Sequence, residues 1–395
     1  MQKWGLGILV LAGVGLVWLG LGWSDRDPIS PLREGYEMAI PYQLPPLGLA
    51  GIDAHTCGTC HRVQYEQWRH STHAHAWTDP QFQVEIKKKS SPWLCINCHI
   101  PLQNQQEFIV TGLRGGDIYQ PVKQPNPTFN RKLQQEGITC AVCHVRDGAI
   151  IGLNGSTLAP HKVVVDSLFL SEQLCIQCHD AHVSINDLLV CTFETGKEWR
   201  DGPYYGHKTC INCHMTESQG RILPDYPIRK LHQHYFEGSG IPKFDSIPTK
   251  IKNGLSVRLS PLPQNIHIGD SLNLTLELTN QYAGHRVPTG DPERFIRVDL
   301  DLIQERKDTL RHQSYRIGEK WQWYPKAIKM SDNNIHPLET RFYHLNTRLT
   351  ETGVYSITTR ITKHRMKNST AQFHHLKKYP LYITIWDSTQ IIRVQ

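Results

Sequence analysis

Residues 136–148 read EGITCAVCHVRDG, and the five residues CAVCH at 140–144 decide how the rest of the chain is read. The same spacing, Cys-x-x-Cys-His, recurs as CGTCH at 57–61, CINCH at 95–99, CIQCH at 175–179 and CINCH at 210–214. This is the attachment pattern of c-type heme. Two thiols add to the porphyrin vinyl groups, and the following histidine is then held beneath the ring as an iron ligand. The protein supplies placement, axial ligands and dielectric, and the cofactor supplies the redox chemistry. Zinc sites group Cys and His in fours, whereas these ligands come in threes. A thioredoxin-like Cys-x-x-Cys is expected once, beside a βαβ pattern. Five covalently bound heme c groups are therefore expected, attached at Cys57, Cys60, Cys95, Cys98, Cys140, Cys143, Cys175, Cys178, Cys210 and Cys213. Their proximal ligands are His61, His99, His144, His179 and His214.

Those motifs use ten of the eleven cysteines. Only Cys191 remains, in the apolar setting LLVCTFE, where a buried inert thiol is expected. Twenty-two histidines leave seventeen beyond the motifs. Each heme needs a sixth ligand unless its iron is open for catalysis. The five methionines are poorly placed, and Met215 directly follows a proximal histidine. Distal histidine, which gives low-spin and low-potential hemes, is the expectation. The candidates are His73 in WRHSTHAHAW, His161 after Pro160, the pair His232 and His234 in HQHYF, and His182, His207 and His55 beside motifs. His285, in GHRVPTGDPERF, lies on a loop marked by Gly and Pro, where it caps a heme from outside the motif region or stabilises the loop.

The formal charge is +7. Each ferric bis-histidine heme with ionised propionates adds about −1, so five would bring the total to about +2. No basic block exceeds KKK at 87–89, and nucleic-acid binding is not expected. The N-terminus, MQKWGLGILVLAGVGLVWLGLGWSDRD, has an uncharged run over 4–23 with Lys3 before it and Trp at its ends. It reads as a transmembrane anchor over 1–24, with a cleaved signal peptide as the competitor. Either reading exports the rest of the chain, to the periplasmic side of a bacterial inner membrane or free into the periplasm.

Residues 25–50 are rich in Pro and Gly and read as a linker. Residues 51–245 hold every motif, with first cysteines 38, 45, 35 and 35 residues apart. Apolar periodicity is weak there, with a helix expected over 63–77. Five porphyrins would supply the apolar surface that side chains otherwise provide. Over 250–395 the pattern changes to period two: SLNLTLELTN at 271–280, then alternations over 296–302, 355–361 and 381–385. WQWY at 321–324 reads as a core strand. The expected fold class is α+β multidomain: a mostly loop and short-helix multiheme domain, then an all-β immunoglobulin-like sandwich, with an N-terminal transmembrane helix.

CHRVQYEQWRHSTHAHA at 60–76 resembles the heme-motif, Tyr, Trp, Ser-x-His-Ala pattern of the multiheme cytochrome c superfamily, which includes the tetraheme electron acceptor of hydroxylamine oxidoreductase. CINCHIPLQNQ, GITCAVCHVRDG, CINCHM and HQHYFEG are similar to elements of its larger members, and GHRVPTG resembles a loop of a C-terminal β-sandwich module found in some of them. The resemblance covers roughly residues 50–300. It implies closely packed bis-histidine hemes acting as an electron wire, with His73, His161 and either His232 or His234 as distal ligands. Ammonia-forming pentaheme nitrite reductases differ in carrying lysine at the catalytic heme, whereas all five motifs here end in His. The expected function is electron transfer between a respiratory donor, such as a membrane quinol dehydrogenase or another cytochrome, and an acceptor. The alternative is a heme-dependent oxidoreductase with one open iron, acting on a small nitrogen or sulfur compound.

Overall fold

The computed structural model describes residues 28–87, 92–186, 189–244, 246, 253–263, 266–305 and 309–395. Four of the five motifs lie in helices that end on their histidine: Pro92–His99, Cys140–His144, Glu172–His179 and Cys210–His214. The first motif is split, with Cys57 in the helix Ala54–Gly58 and His61 capping the helix Arg62–Arg69. A helix suits this pattern because residues i, i+3 and i+4 share one face. Both thiols and the imidazole then meet the same porphyrin. Side-chain caps fix where several of these helices begin. Asp53 accepts from the Thr56 amide at 2.9 Å, and Ser171 accepts from the Gln173 amide at 3.3 Å.

Short strands lie between the motif helices. Among the described residues ten run between Ile29 and His232, in two- and three-stranded sheets. They pair backbone groups that would otherwise be left unsatisfied in a chain wrapped around a cavity. Most are only two to six residues long, too short to print a period-two signal in the sequence. The helix expected over 63–77 stops at Arg69, and the chain turns at Ser71, whose Oγ accepts from the Ala74 amide at 3.4 Å.

Beyond residue 253 two antiparallel sheets enclose one core. One has the strand order Leu255–Leu259, Ser271–Asn280, Thr340–Arg348; the other has Thr309–Ile317, Phe295–Gln304, Gly353–His364, Tyr382–Val394. Alternation in 271–280 turns Leu272, Leu274, Leu276 and Leu278 inward, each at most 1% exposed, against Ile296, Val298, Leu300 and Ile357 of the facing sheet. Each such side chain is worth about 1.5–3 kcal/mol of burial.

The expected fold class is corrected by these elements. The chain is mixed α/β, with seven sheets among the described residues. The motif region adds short paired strands to the loop and short helix expected of it. The C-terminal region is not all-β, since the helix Asn368–Phe373 packs Ala371 with Met366 and Tyr379. No helix among the described residues is long and apolar enough to cross a membrane, and the span expected over 4–23 lies outside the described residues. WQWY is not a core strand. Lys320–Gln322 is half of a two-stranded sheet, Trp321 stacks on Trp323 at 5.4 Å, and Tyr324 is 80% exposed.

Candidate heme centres

All ten motif cysteines and all five motif histidines line one continuous cavity of about 2970 Å³. No disulfide joins them. The motifs adjoin one another in a definite order. The thiols of Cys57 and Cys140 meet, as do those of Cys98 and Cys178 and those of Cys175 and Cys210. Cys143 lies within the field of Cys178. The first motif therefore abuts the third, the third neighbours the fourth, and the fourth touches both the second and the fifth.

Local contacts explain this order. The Glu136 carboxylate accepts from the Ala54 amide at 2.9 Å and from the Thr139 hydroxyl at 2.6 Å, tying the start of the first motif helix to that of the third. Burial raises the Glu136 pKa from its ordinary value. The Trp68 indole N–H donates to the Ile138 carbonyl at 2.8 Å, and the Ile138 amide to the His73 carbonyl at 3.0 Å. Gly137, at φ +60°, permits that crossing, because a Cβ there would stand 2.7 Å from the His73 carbonyl oxygen. Gly48, at φ +93°, does the same for His161: a Cβ would stand 1.9 Å from the Pro160 carbonyl oxygen.

Three motif histidines each face a second histidine ring. The ring centres are 6.2 Å apart for His179 and His73, for His144 and His234, and for His214 and His285. A metal–imidazole bond is about 2 Å and the ring centre lies about 1.1 Å beyond the nitrogen, so two rings on one metal stand about 6 Å apart. The pairs thus have the separation of axial ligands with an iron between them. Tautomers agree. Nδ1–H of His144 donates to the Ile151 carbonyl at 2.9 Å, that of His234 to the His232 carbonyl at 2.9 Å, and that of His285 to the Arg286 carbonyl at 2.8 Å. His214 does the same to the Glu237 carbonyl. Each bond places the ring proton on Nδ1, so that Nε2 carries the lone pair used in ligation. Burial first, and neighbouring imidazoles next, push His73 down to about 3 and His179 to about 4. His234 and His285 are likewise held near 4, chiefly by burial. Those rings are neutral at neutral pH, which is the ligating form.

His161 lines the cavity, its Nδ1 is buried without a partner, and after burial it is the largest influence lowering the His61 pKa. His232 also lines the cavity but faces no ring among the described residues, and its Nδ1–H donates to the Met215 carbonyl at 2.8 Å. His55, His182 and His207 are exposed and do not line the cavity. His99 differs from the other proximal histidines. Its Nδ1–H donates to the Ala76 carbonyl at 2.8 Å and its ring stacks on Phe82 at 3.6 Å, and no histidine ring pairs with it across the cavity among the described residues. Burial pushes Cys191 up to about 12, and it too lines the cavity. Sequence reading missed Glu136 and Phe82; the only signal for Glu136 was its place three residues before Thr139, and Phe82 had none.

The residues fit heme on three counts: thiols in attachment pairs, neutral imidazoles at ligand separation, and an apolar cavity joining them. A profile of the family described as cytochrome c554 and c-prime matches residues 56–115. Among solved structures, a penta-heme cytochrome c552 from Thermochromatium tepidum superposes with a TM-score of 0.62 at 16% identity, over 88% of this chain and 100% of that one. The CARDB domain of the PF1109 protein from Pyrococcus furiosus aligns with 36% of this chain and 87% of its own at 13% identity, with a TM-score of 0.20. No curated protein matches the chain. The profile spans the first two attachment motifs, and the superposition shows a fold shared with that penta-heme cytochrome.

Proposed function

We propose that the chain is a pentaheme electron-transfer cytochrome of the bacterial periplasm. The carrying observation is that three motif histidines have a second ring at 6.2 Å inside the cavity that all five motifs share. In this reading His179 and His73, His144 and His234, and His214 and His285 are axial pairs, and His161 completes the heme of His61. Electrons enter from a respiratory donor, a membrane quinol dehydrogenase or another cytochrome, and leave to a redox partner. The path follows the motif contacts: first to third, third to fourth, then either second or fifth. One heme stores one electron, whereas hemes in contact form a path, and a branch at the fourth lets one input serve two exits.

His99 favours a second reading, in which its heme keeps an open iron and acts on a small nitrogen or sulfur compound. One experiment separates the two: heme content by mass, with an EPR spectrum of the fully oxidised protein. Five hemes, all low-spin, support pure electron transfer. One high-spin iron that shifts on adding nitrite or hydroxylamine supports the oxidoreductase. Fewer than five hemes by mass would refute the pentaheme reading.

A further inference from the structure

Two half-buried lysines line the heme cavity, and among the described residues only one of them has a carboxylate. Lys243 pairs with Asp79, which also accepts from the Tyr379 hydroxyl at 2.7 Å. Lys363 stands opposite Ile296 in the register of Phe295–Gln304 and Gly353–His364, at the end of the sheet that borders the cavity. Among the described residues no carboxylate bonds it. Its charged neighbour is another cation, Arg294, which also lines the cavity. Arg294 gives one N–H to the Thr289 carbonyl at 3.2 Å. The adjacent Asp291 carboxylate instead accepts from the Gln81 side chain and the Glu293 amide. Asp291 and Asp79 act favourably on Arg294, whereas Lys363 has only that cation as its charged neighbour, which is unfavourable unless an anion lies beside it in the cavity.

Their positions indicate which anion. Arg294 is among the charges acting on His179, and Lys363 among those acting on His285, the ring facing His214. We propose that Lys363 and Arg294 clamp propionate carboxylates of the hemes attached at Cys175/Cys178 and Cys210/Cys213. The guanidinium offers a planar fork suited to a carboxylate, and the ammonium offers a point charge. Both come from the C-terminal region, so that region holds the fourth and fifth hemes by charge as well as by ligation. The proposal rests on the reading that both motifs carry heme.

The test uses the full-length heme-loaded protein, with Lys363→Met and Lys363→Arg variants. Heme loading is read by mass and midpoint potentials by optical redox titration across pH. A cation beside a propionate favours the reduced heme. Lys363→Met is therefore expected to keep its hemes while one midpoint moves downward and its pH dependence shifts to higher pH; Lys363→Arg is expected to restore both. If Lys363→Met fails to fold, Arg294→Lys is titrated in its place, with the same downward direction expected from the lost fork. Full loading with midpoints identical to wild type overturns the clamp alone. A wild-type mass with either motif unloaded overturns the pentaheme reading together with the clamp. Nitrite or inorganic phosphate that binds wild type and not Lys363→Met, with midpoints unmoved, assigns the pair to a free anion and also overturns it.

Discussion

Replacing His285 by alanine removes, of the three rings that face motif histidines, the one that comes from beyond residue 250. The His214 and His285 ring centres are 6.2 Å apart and their planes differ by 11°. That separation matches two imidazoles bound to one iron at about 2 Å each. Alanine leaves a ring-sized void and one iron with a single axial nitrogen. The expected change is one heme's worth of iron passing from low to high spin, with the other pairs untouched because each has its own rings. Truncating a buried side chain of this size costs about 2–5 kcal/mol, which a cavity shared with bound hemes tolerates. The assay is EPR of the oxidised variant with heme loading fixed by mass, followed by addition of free imidazole. Imidazole is expected to enter the void and return that iron to low spin. A fully loaded His285→Ala protein with no high-spin iron would refute the assignment, since the ring would then serve only its loop.

Three further outcomes are expected. Gly48→Ala places a Cβ 1.9 Å from the Pro160 carbonyl oxygen at a left-handed backbone; the 46–49 segment must move, at about 1–3 kcal/mol, and EPR should show the His61 heme losing low-spin character while the others keep theirs. Leu276→Ala empties a fully buried position between the two C-terminal sheets, and urea unfolding should show a loss of about 2–5 kcal/mol with heme loading unchanged. Glu198 accepts from the Thr289 hydroxyl at 2.8 Å and the Arg286 amide at 3.1 Å, and burial pushes it up to about 7. The folded protein then binds more protons than the unfolded chain between the ordinary carboxylate range and about 7, so stability should fall as pH rises through that window. Glu198→Gln should flatten that slope, and identical urea midpoints against pH in both proteins would show that Glu198 does not titrate there.

The attachment pattern could be read five times over because its chemistry is local: two thiols and an imidazole at fixed offsets need nothing from the rest of the chain. The distal rings were legible only as a set of candidates. Choosing His234 over His232 depends on a turn of two residues and on which Nδ1–H finds which carbonyl, and no periodicity records that. His285 stayed open because its meaning lies in a contact with His214, separated from it by about seventy residues. The long strands announced themselves by alternation, and 271–280 is the strand Ser271–Asn280. Most strands in the motif region did not, because two to six residues are too few for a period to emerge. The helix Asn368–Phe373 was invisible for a related reason: six residues show less than two helical turns.

The C-terminal region is best understood through what it gives the cavity. It carries no attachment motif, yet it supplies His285, Arg294 and Lys363 to the cavity wall. Arg365, also from that region, donates to the carbonyls of Ile241 at 3.0 Å and Pro242 at 2.9 Å, and the Gln81 side chain donates to Asp291 at 3.0 Å. A surface that merely recruited a partner would need none of these groups turned inward. In the pentaheme reading, the hemes this region touches are those of the fourth motif, where the path branches, and the fifth, where one branch ends. Two stiff sheets with a dry core hold the 284–294 loop far more firmly than a free loop could be held, and an axial ligand needs such holding because its nitrogen must stay at bonding distance in both oxidation states. In the same reading, the leucine rows of 271–280 act on electron transfer by fixing where His285 stands.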